Sequence, residues 1–206
     1  ERYLIDQDAE RYLQCISDRY NMGSLERVAT NPDRVARRGA VLALGHLADY
    51  QANSVLGRAL VDSDRGVRTL AEAGIRRLWM RIGTPTQQRH LVAIDQQLED
   101  GENGRAAQLS TALVDDAPWI AQGWYYRGLA FYQLDQPDAA TRDCHQALEI
   151  NPYHFLAAAT MGRAYLKAGD QVSALDSFRR TLRVNPSMED VRAQVIQLQR
   201  SLKDKH

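Results

Sequence analysis

An Asn-Pro dipeptide stands at Asn151-Pro152 and again at Asn185-Pro186 in this chain of 206 residues. The residue before a proline is biased away from the helical region, so each dipeptide predicts the end of a helix. The residues between the two dipeptides repeat the pattern of those before them, and Pro118 continues the series upstream at the same interval. This interval is typical of stacked helical hairpins, in which each unit packs only on its neighbours. We therefore predict an all-α, right-handed solenoid of helical hairpins.

Hydrophobic spacing predicts two helices in each of these units. In the first unit, Trp124, Gly128 and Phe131 share one face of the leading helix. Gly162 stands at the position of Gly128 in the next unit. Because glycine is unfavourable inside a helix, the two glycines predict a close approach between the two helices of each hairpin.

These residues resemble the tetratricopeptide repeat (TPR) signature. The matching positions are Trp124, Gly128, Phe131, Ala140, Ala147 and Pro152, followed by Gly162, Tyr165, Ala174, Phe178 and Pro186. We interpret residues 86–206 as three TPR-type repeats, the first degenerate, followed by a C-terminal capping helix. The resemblance implies a concave groove lined by the first helix of each hairpin.

The N-terminal part repeats at a different, slightly shorter interval. Asp33 and Arg37 recur as Asp64 and Arg68. The segments AVLALGHLADYQA and ALVDSDRGVRTLAEAGIRRL resemble HEAT-like repeats of the phycobilisome-lyase type. That resemblance implies a structural ladder of ion pairs between adjacent units, formed by Asp33 with Arg37 and by Asp64 with Arg68.

We predict three segments along the chain. An opening or capping helix covers residues 1–21, and two HEAT-like repeats cover residues 22–83. The TPR-type region begins at residue 86, after the short Gly83-Thr84-Pro85 break.

The Arg-rich N-terminal segment leaves a second function open. Residues 33–81 contain nine Arg against five acidic residues. A nucleic-acid or phosphate ligand could bind Arg34, Arg37, Arg38, Arg65, Arg68, Arg76 and Arg77. However, the net charge of the chain is zero, and nucleic-acid grooves usually have a larger positive excess with interleaved aromatic residues. We therefore consider nucleic acid the weaker alternative.

No motif in the sequence indicates catalysis. There is no HExxH, no His-Glu dipeptide, no GxSxG and no Gly-rich phosphate loop. Cys15 and Cys144 have neither CxxC nor Cys/His spacing. We predict a protein that is not an enzyme and uses no metal or cofactor.

The implied groove supplies the candidate partner-binding residues, which are Tyr125, Leu129, Tyr132, Gln133, Arg163, Leu166 and Lys167. Tyrosine offers a large contact area at low entropic cost, and arginine binds carboxylates as a fork. An open alternative is that neighbouring helices cover Tyr125 and Tyr132. The Lys and Asn set by which some TPR domains bind chaperone tails is replaced here, so that ligand class is disfavoured.

We therefore predict a non-catalytic scaffold that binds a protein or peptide partner in the groove. A structural spacer or self-association element is the remaining alternative. No apolar run approaches the roughly 20 residues that cross a bilayer. The chain opens at Glu1, so we expect a fragment or processed product of a bacterial cytoplasmic protein, or a periplasmic one if a signal peptide was removed.

Overall fold

The structure, a computed structural model, describes residues 9–203. Over that range the chain forms twelve α-helices and one 3-10 turn, without a strand. The predicted all-α architecture is confirmed. Among the same residues, no helix is both long and apolar enough to cross a membrane. Contacts divide the chain into two compact units that meet in sequence at Arg81 and Ile82.

The N-terminal unit contains five helices. They are α1 (Ala9–Ser17), α2 (Met22–Val28), α3 (Arg34–Leu47), α4 (Asn53–Ala59) and α5 (Arg65–Met80), with the 3-10 turn Tyr50–Ala52 before α4. Of the predicted opening helix, residues 1–8 lie outside the described range.

A close crossing of α3 and α5 forms the centre of this unit. A Cβ added at Gly45 would lie 2.6 Å from the Cα of Gly74, so the two backbones are in contact there. Beside the crossing, the buried Trp79 indole donates a hydrogen bond of 2.8 Å to Oδ1 of Asn53. The indole N–H is thus satisfied inside the core.

The C-terminal unit contains seven helices. They are α6 (Pro85–Glu99), α7 (Asn103–Asp116), α8 (Ala121–Gln133), α9 (Pro137–Ile150), α10 (Phe155–Lys167), α11 (Gln171–Val184) and α12 (Glu189–Lys203). A capping box starts α6, because the Thr84 hydroxyl accepts from the Gln87 backbone while the Gln87 side chain accepts from the Thr84 backbone.

Consecutive helices of this unit pack on one another, which gives three hairpins and a final helix. The first helix of each hairpin also contacts the first helix of the next, so α6, α8 and α10 form one continuous wall. This wall corresponds to the groove lining expected from the TPR resemblance.

The internal glycines mark the closest approach within two of the hairpins. A Cβ on Gly128 would lie 2.9 Å from Sγ of Cys144, and one on Gly162 would lie 2.5 Å from the ring of Phe178. Both distances are too short for a methyl group, so the predicted close approach is confirmed.

A buried asparagine closes each of the last two hairpins. Asn151 and Asn185 are 1% and 0% exposed. Their Oδ1 atoms accept hydrogen bonds of 3.1 Å from the backbone N–H groups of Tyr153 and Ser187. Each asparagine side chain therefore bonds to the backbone of the residue two positions later and stabilises the turn. The proline that follows each asparagine disfavours a helical conformation at the asparagine, so the helix ends there.

Candidate functional site

A part-buried hydrogen bond joins α6 and α8 within the wall. The Tyr126 hydroxyl on α8 donates a 2.7 Å hydrogen bond to Oδ1 of Asp95 on α6. Burial, together with this bond to a carboxylate, raises the pKa of the Tyr126 hydroxyl. The tyrosine therefore remains a neutral hydrogen-bond donor that joins the first hairpin to the second.

A fully buried histidine extends this contact to the third hairpin. Nδ1 of His154 accepts from the backbone N–H of Ala157 at 3.2 Å and so caps α10. Nε2 lies 2.9 Å from Oε1 of Gln122, which requires the proton on Nε2. Burial lowers the pKa of His154 from 6.5 to about 3, so the ring is neutral at neutral pH.

This arrangement corrects the prediction for Tyr125. Its ring lies 4.7 Å from the His154 ring and 5.5 Å from the Tyr126 ring, and the residue is only 8% exposed. Tyr125 is thus covered by its own chain, as the alternative interpretation proposed, and offers a partner little accessible surface.

Three other candidates on α8 remain accessible. Leu129 and Tyr132 are half-buried, and Gln133 is exposed. Leu129 precedes the other two by three and four positions, so the three side chains lie on neighbouring parts of one helix face. They provide the apolar and amide part of the wall.

The candidates on α10 are engaged with side chains of the same unit. Nη2 of Arg163 donates to Oδ2 of Asp190 on α12 at 2.8 Å. Leu166 is half-buried and packs against the core cluster that contains Val191 and Val195. The last helix of the chain therefore reaches the wall and contributes a carboxylate to it.

Lys167 connects the ends of α8 and α10. Its Nζ donates to the carbonyl oxygen of Tyr132 at 3.1 Å and lies 2.9 Å from Oδ1 of Asp135. The same ammonium lies 4.9 Å from the centre of the Tyr132 ring, within the range of a cation–π interaction. The contact ties two neighbouring hairpins together.

Asp135 was missed by the sequence interpretation, although a signal was present. It occurs midway between Gly101 and Gly169, at the interval of the TPR-type repeat. All three have positive φ, at 60° for Asp135 and 77° and 83° for the glycines. Aspartate tolerates this region better than most L-residues because its short polar side chain can bond locally, and here that side chain pairs with Lys167.

The ion pairs of the N-terminal unit differ from those expected. Arg37 forms a two-bond fork with Asp62, at 2.8 Å for each bond, rather than with Asp33. Arg38, not Arg68, forms the corresponding fork with Asp64, at 2.7 Å for each bond. The forks do connect adjacent helical pairs, as a ladder would.

The physical reason lies at the helix starts. Asp33 and Asp64 are N-caps, and their carboxylates accept from backbone N–H groups of α3 and α5. Arg37 also donates through Nη1 to the carbonyl oxygens of Asn31 and Pro32 in the preceding turn. Arg68 donates in the same way to those of Asp62 and Ser63.

The same contacts weaken the nucleic-acid alternative. Arg37, Arg38 and Arg68 are engaged as just described, and Arg81 donates to the carbonyl oxygens of Gly45, His46 and Ala48 at the end of α3. Much of the arginine excess therefore serves the fold.

A cavity of about 770 Å³ between α1 and α3 is lined mainly by apolar and aromatic side chains.

Comparison with known proteins identifies one repeat. Residues 121–154 match the family model described as Tetratricopeptide repeat. Tetratricopeptide repeat protein 37 of Xenopus laevis is 30% identical over 96 residues, which cover 46% of this chain and 6% of that protein. The chain thus spans a small part of this relative's length.

Solved structures share the fold at low identity. The first TPR of Spaghetti (RPAP3) bound to the HSP90 peptide SRMEEVD is 17% identical, with a TM-score of 0.56 over 59% of this chain and 97% of that one. The P58(IPK) TPR domain is also 17% identical, with a TM-score of 0.54 over 97% of this chain and 57% of that one. Residues 121–154 therefore match one tetratricopeptide repeat, and the fold of the chain is similar to that of solved TPR domains.

Proposed function

We propose that the C-terminal unit binds a segment of a partner protein along the α6–α8–α10 wall. TPR domains generally mediate protein–protein and protein–peptide contacts. The observation that carries the proposal is the row of accessible side chains on the wall, with Leu129, Tyr132 and Gln133 on α8 and Arg163 on α10. Tyr125 serves this surface from beneath, as packing.

The accessible row combines the side-chain types that protein interfaces favour. Tyr132 and Leu129 supply apolar area, and Arg163 supplies a charged fork beside them. Lys167 lies one turn after Arg163 on α10, and Leu166 supports both from the core. The wall therefore suits an extended peptide segment in which apolar and polar side chains alternate.

The proposal also assigns a structural role to the rest of the chain, which supports the binding wall. We assign residues 22–83 to two HEAT-like repeats, preceded by a capping helix, and residues 86–206 to three TPR-type repeats with a final capping helix. In this assignment the protein is a scaffold rather than an enzyme, acting in the bacterial cytoplasm. The recurrence of the Arg37 backbone contacts at Arg68 supports the HEAT-like part.

Selection of random peptides displayed on phage tests the groove. The immobilised full chain is expected to enrich a consensus peptide, because the wall is a preformed surface. The double variant Leu129→Ala/Tyr132→Ala is expected to weaken binding of that peptide at least about tenfold, since it truncates the two apolar contacts.

Val172→Ala is the matched control. Val172 is 61% exposed and lies on α11, outside the wall, so its truncation should leave peptide affinity unchanged. Circular dichroism should be used to check that each variant is folded. Absence of an enriched consensus, or equal binding by the folded wall variant, would reject the proposal.

A further inference from the structure

We propose that the ends of α3 and α5 form an anion site, made by His46, Arg77 and Arg81, that binds a phosphomonoester group. The site belongs to the N-terminal unit, so the inference goes beyond the function proposed for the wall and is tested independently of it.

The crossing of α3 and α5 brings these three residues together. A Cβ on Gly45 would lie 2.6 Å from Cα of Gly74, and His46 directly follows Gly45. Arg77 stands three positions after Gly74, and Arg81 stands four positions after Arg77, so both lie on the face of α5 that meets this crossing. The end of α3 is therefore next to two arginines.

Hydrogen bonds hold Arg81 against the end of α3. Its Nη1 donates to the carbonyl oxygen of His46, and its Nη2 donates to those of Gly45 and Ala48 at 3.0 and 3.1 Å. These bonds keep a positive charge beside His46. Arg81 thus contributes charge to the site, while hydrogen bonds to the ligand come from the other two side chains.

The local electrostatics differ from those of the ion pairs in the same unit. Burial and the charges of Arg77 and Arg81 lower the pKa of His46. Burial and the charge of Arg77 also lower the pKa of Arg81. At Arg38, by contrast, the hydrogen bond to Asp64 raises the pKa of the guanidinium. Positive groups therefore repel one another at the end of α5, and a bound anion would relieve that repulsion.

Two of the three side chains are accessible to a ligand. Arg77 is exposed and His46 is half-buried, and within residues 9–203 neither side chain has a hydrogen bond or an ion pair. Asp49, the carboxylate nearest to His46 in sequence, accepts from the backbone N–H of Gln51 at 3.0 Å. That carboxylate thus caps the 3-10 turn.

A phosphomonoester matches this set of groups. Near pH 7 it has about −1.5 to −2 charges and three acceptor oxygens. Arg77 can donate two parallel bonds to it. The imidazolium form of His46, which the anion favours, can donate to the third oxygen. A carboxylate has one charge and two oxygens, so it matches two arginines and a histidine less well.

Titration of the full chain with inorganic phosphate, followed by proton NMR of the histidine C2–H signals, tests the inference. The His46→Gln variant identifies the signal of His46. Phosphate should shift this signal to a plateau and raise the pKa of His46, because the anion stabilises the imidazolium. Sodium chloride at equal ionic strength only screens the arginine charges, so it should produce a smaller rise without a plateau.

Arg77→Gln should weaken phosphate binding about threefold or more, since it removes a charged fork at an exposed position. It should also raise the pKa of His46 in the absence of phosphate, because a neighbouring cation is lost. Arg76→Gln is the matched control. Arg76 is also exposed and lies one position earlier on α5, so this variant removes the same charge but should leave phosphate affinity unchanged.

The peptide Gly-phosphoserine-Gly, with Gly-Ser-Gly as the uncharged comparison, distinguishes two sources of the phosphoryl group. Tighter binding than inorganic phosphate indicates a phosphorylated protein, whereas equal or weaker binding indicates a small diffusing phosphate. The inference would be overturned if phosphate and chloride act equally on His46, or if Arg76→Gln and Arg77→Gln weaken phosphate binding to the same extent.

Discussion

A buried ion pair joins the two helices of the clearest TPR hairpin and offers a sharp test of its packing. Nε and Nη2 of Arg127 donate to the two carboxylate oxygens of Asp143 at 2.7 and 2.9 Å. The two side chains are only 16% and 9% exposed. The guanidinium also lies 4.8 Å from the centre of the Trp124 ring. Removing Arg127 alone would leave a carboxylate buried without its partner.

The chain itself provides the replacement for this pair. At the corresponding positions of the next repeat, Met161 stands for Arg127 and Ser177 stands for Asp143. We predict that Arg127→Met lowers the free energy of unfolding by about 3 kcal/mol, the low end of the range for breaking a buried pair. Adding Asp143→Ser should recover at least about 2 kcal/mol, since neutral replacement of both partners is often tolerated.

Urea denaturation followed by circular dichroism at 222 nm measures both effects. The single variant should also melt about 6–12 °C lower, at 2–4 °C for each kcal/mol in a chain of this size. A loss below about 1 kcal/mol in the single variant would mean that water reaches Asp143 freely. A double variant no more stable than the single one would refute the reasoning from an uncompensated charge.

Two further predictions concern packing and pH. Gly162→Ala should lower the free energy of unfolding by about 1–3 kcal/mol, because the new methyl group would lie 2.5 Å from the buried ring of Phe178. Gly104→Ala is the control: it has open space around it and should be neutral or slightly stabilising. Thermal melting of both variants checks this. Acid should destabilise the fold through His154, whose pKa is about 3 in the folded chain and 6.5 in the unfolded chain. As the pH falls below about 6.5, the unfolded chain binds a proton at this histidine and the folded chain does not. The free energy of unfolding should therefore fall by about 1.4 kcal/mol per pH unit. Urea titrations from pH 7 to 4 should give a shallower loss in His154→Gln, and parallel curves would contradict this origin.

The fold of the C-terminal unit was predictable because its signals are local and recur. The Asn-Pro turns, the internal glycines and the apolar spacing each reappear at one common interval, so every unit supports the interpretation of the next. Helix ends and hairpin order follow from such signals without knowledge of distant contacts.

The candidate site was less predictable because its details depend on pairs far apart in sequence. The Tyr125 ring contacts the ring of His154, which lies 29 residues later in the turn before α10. The bond of Tyr126 to Asp95 spans 31 residues, and the pairing of Arg37 with Asp62 spans 25. A residue's place on a helix face indicates its direction, whereas its exposure depends on which side chain arrives opposite it.

The buried asparagines have a consequence for how such a chain can lengthen. Asn151 and Asn185 each accept a hydrogen bond from a backbone N–H only two residues away, so this contact recurs at both junctions within the turn itself. An in-frame duplication of residues 152–185 would include its own Asn-Pro turn and would present matching packing faces at both ends. We expect a chain with one such unit duplicated to fold, because repeat units pack mainly on their neighbours.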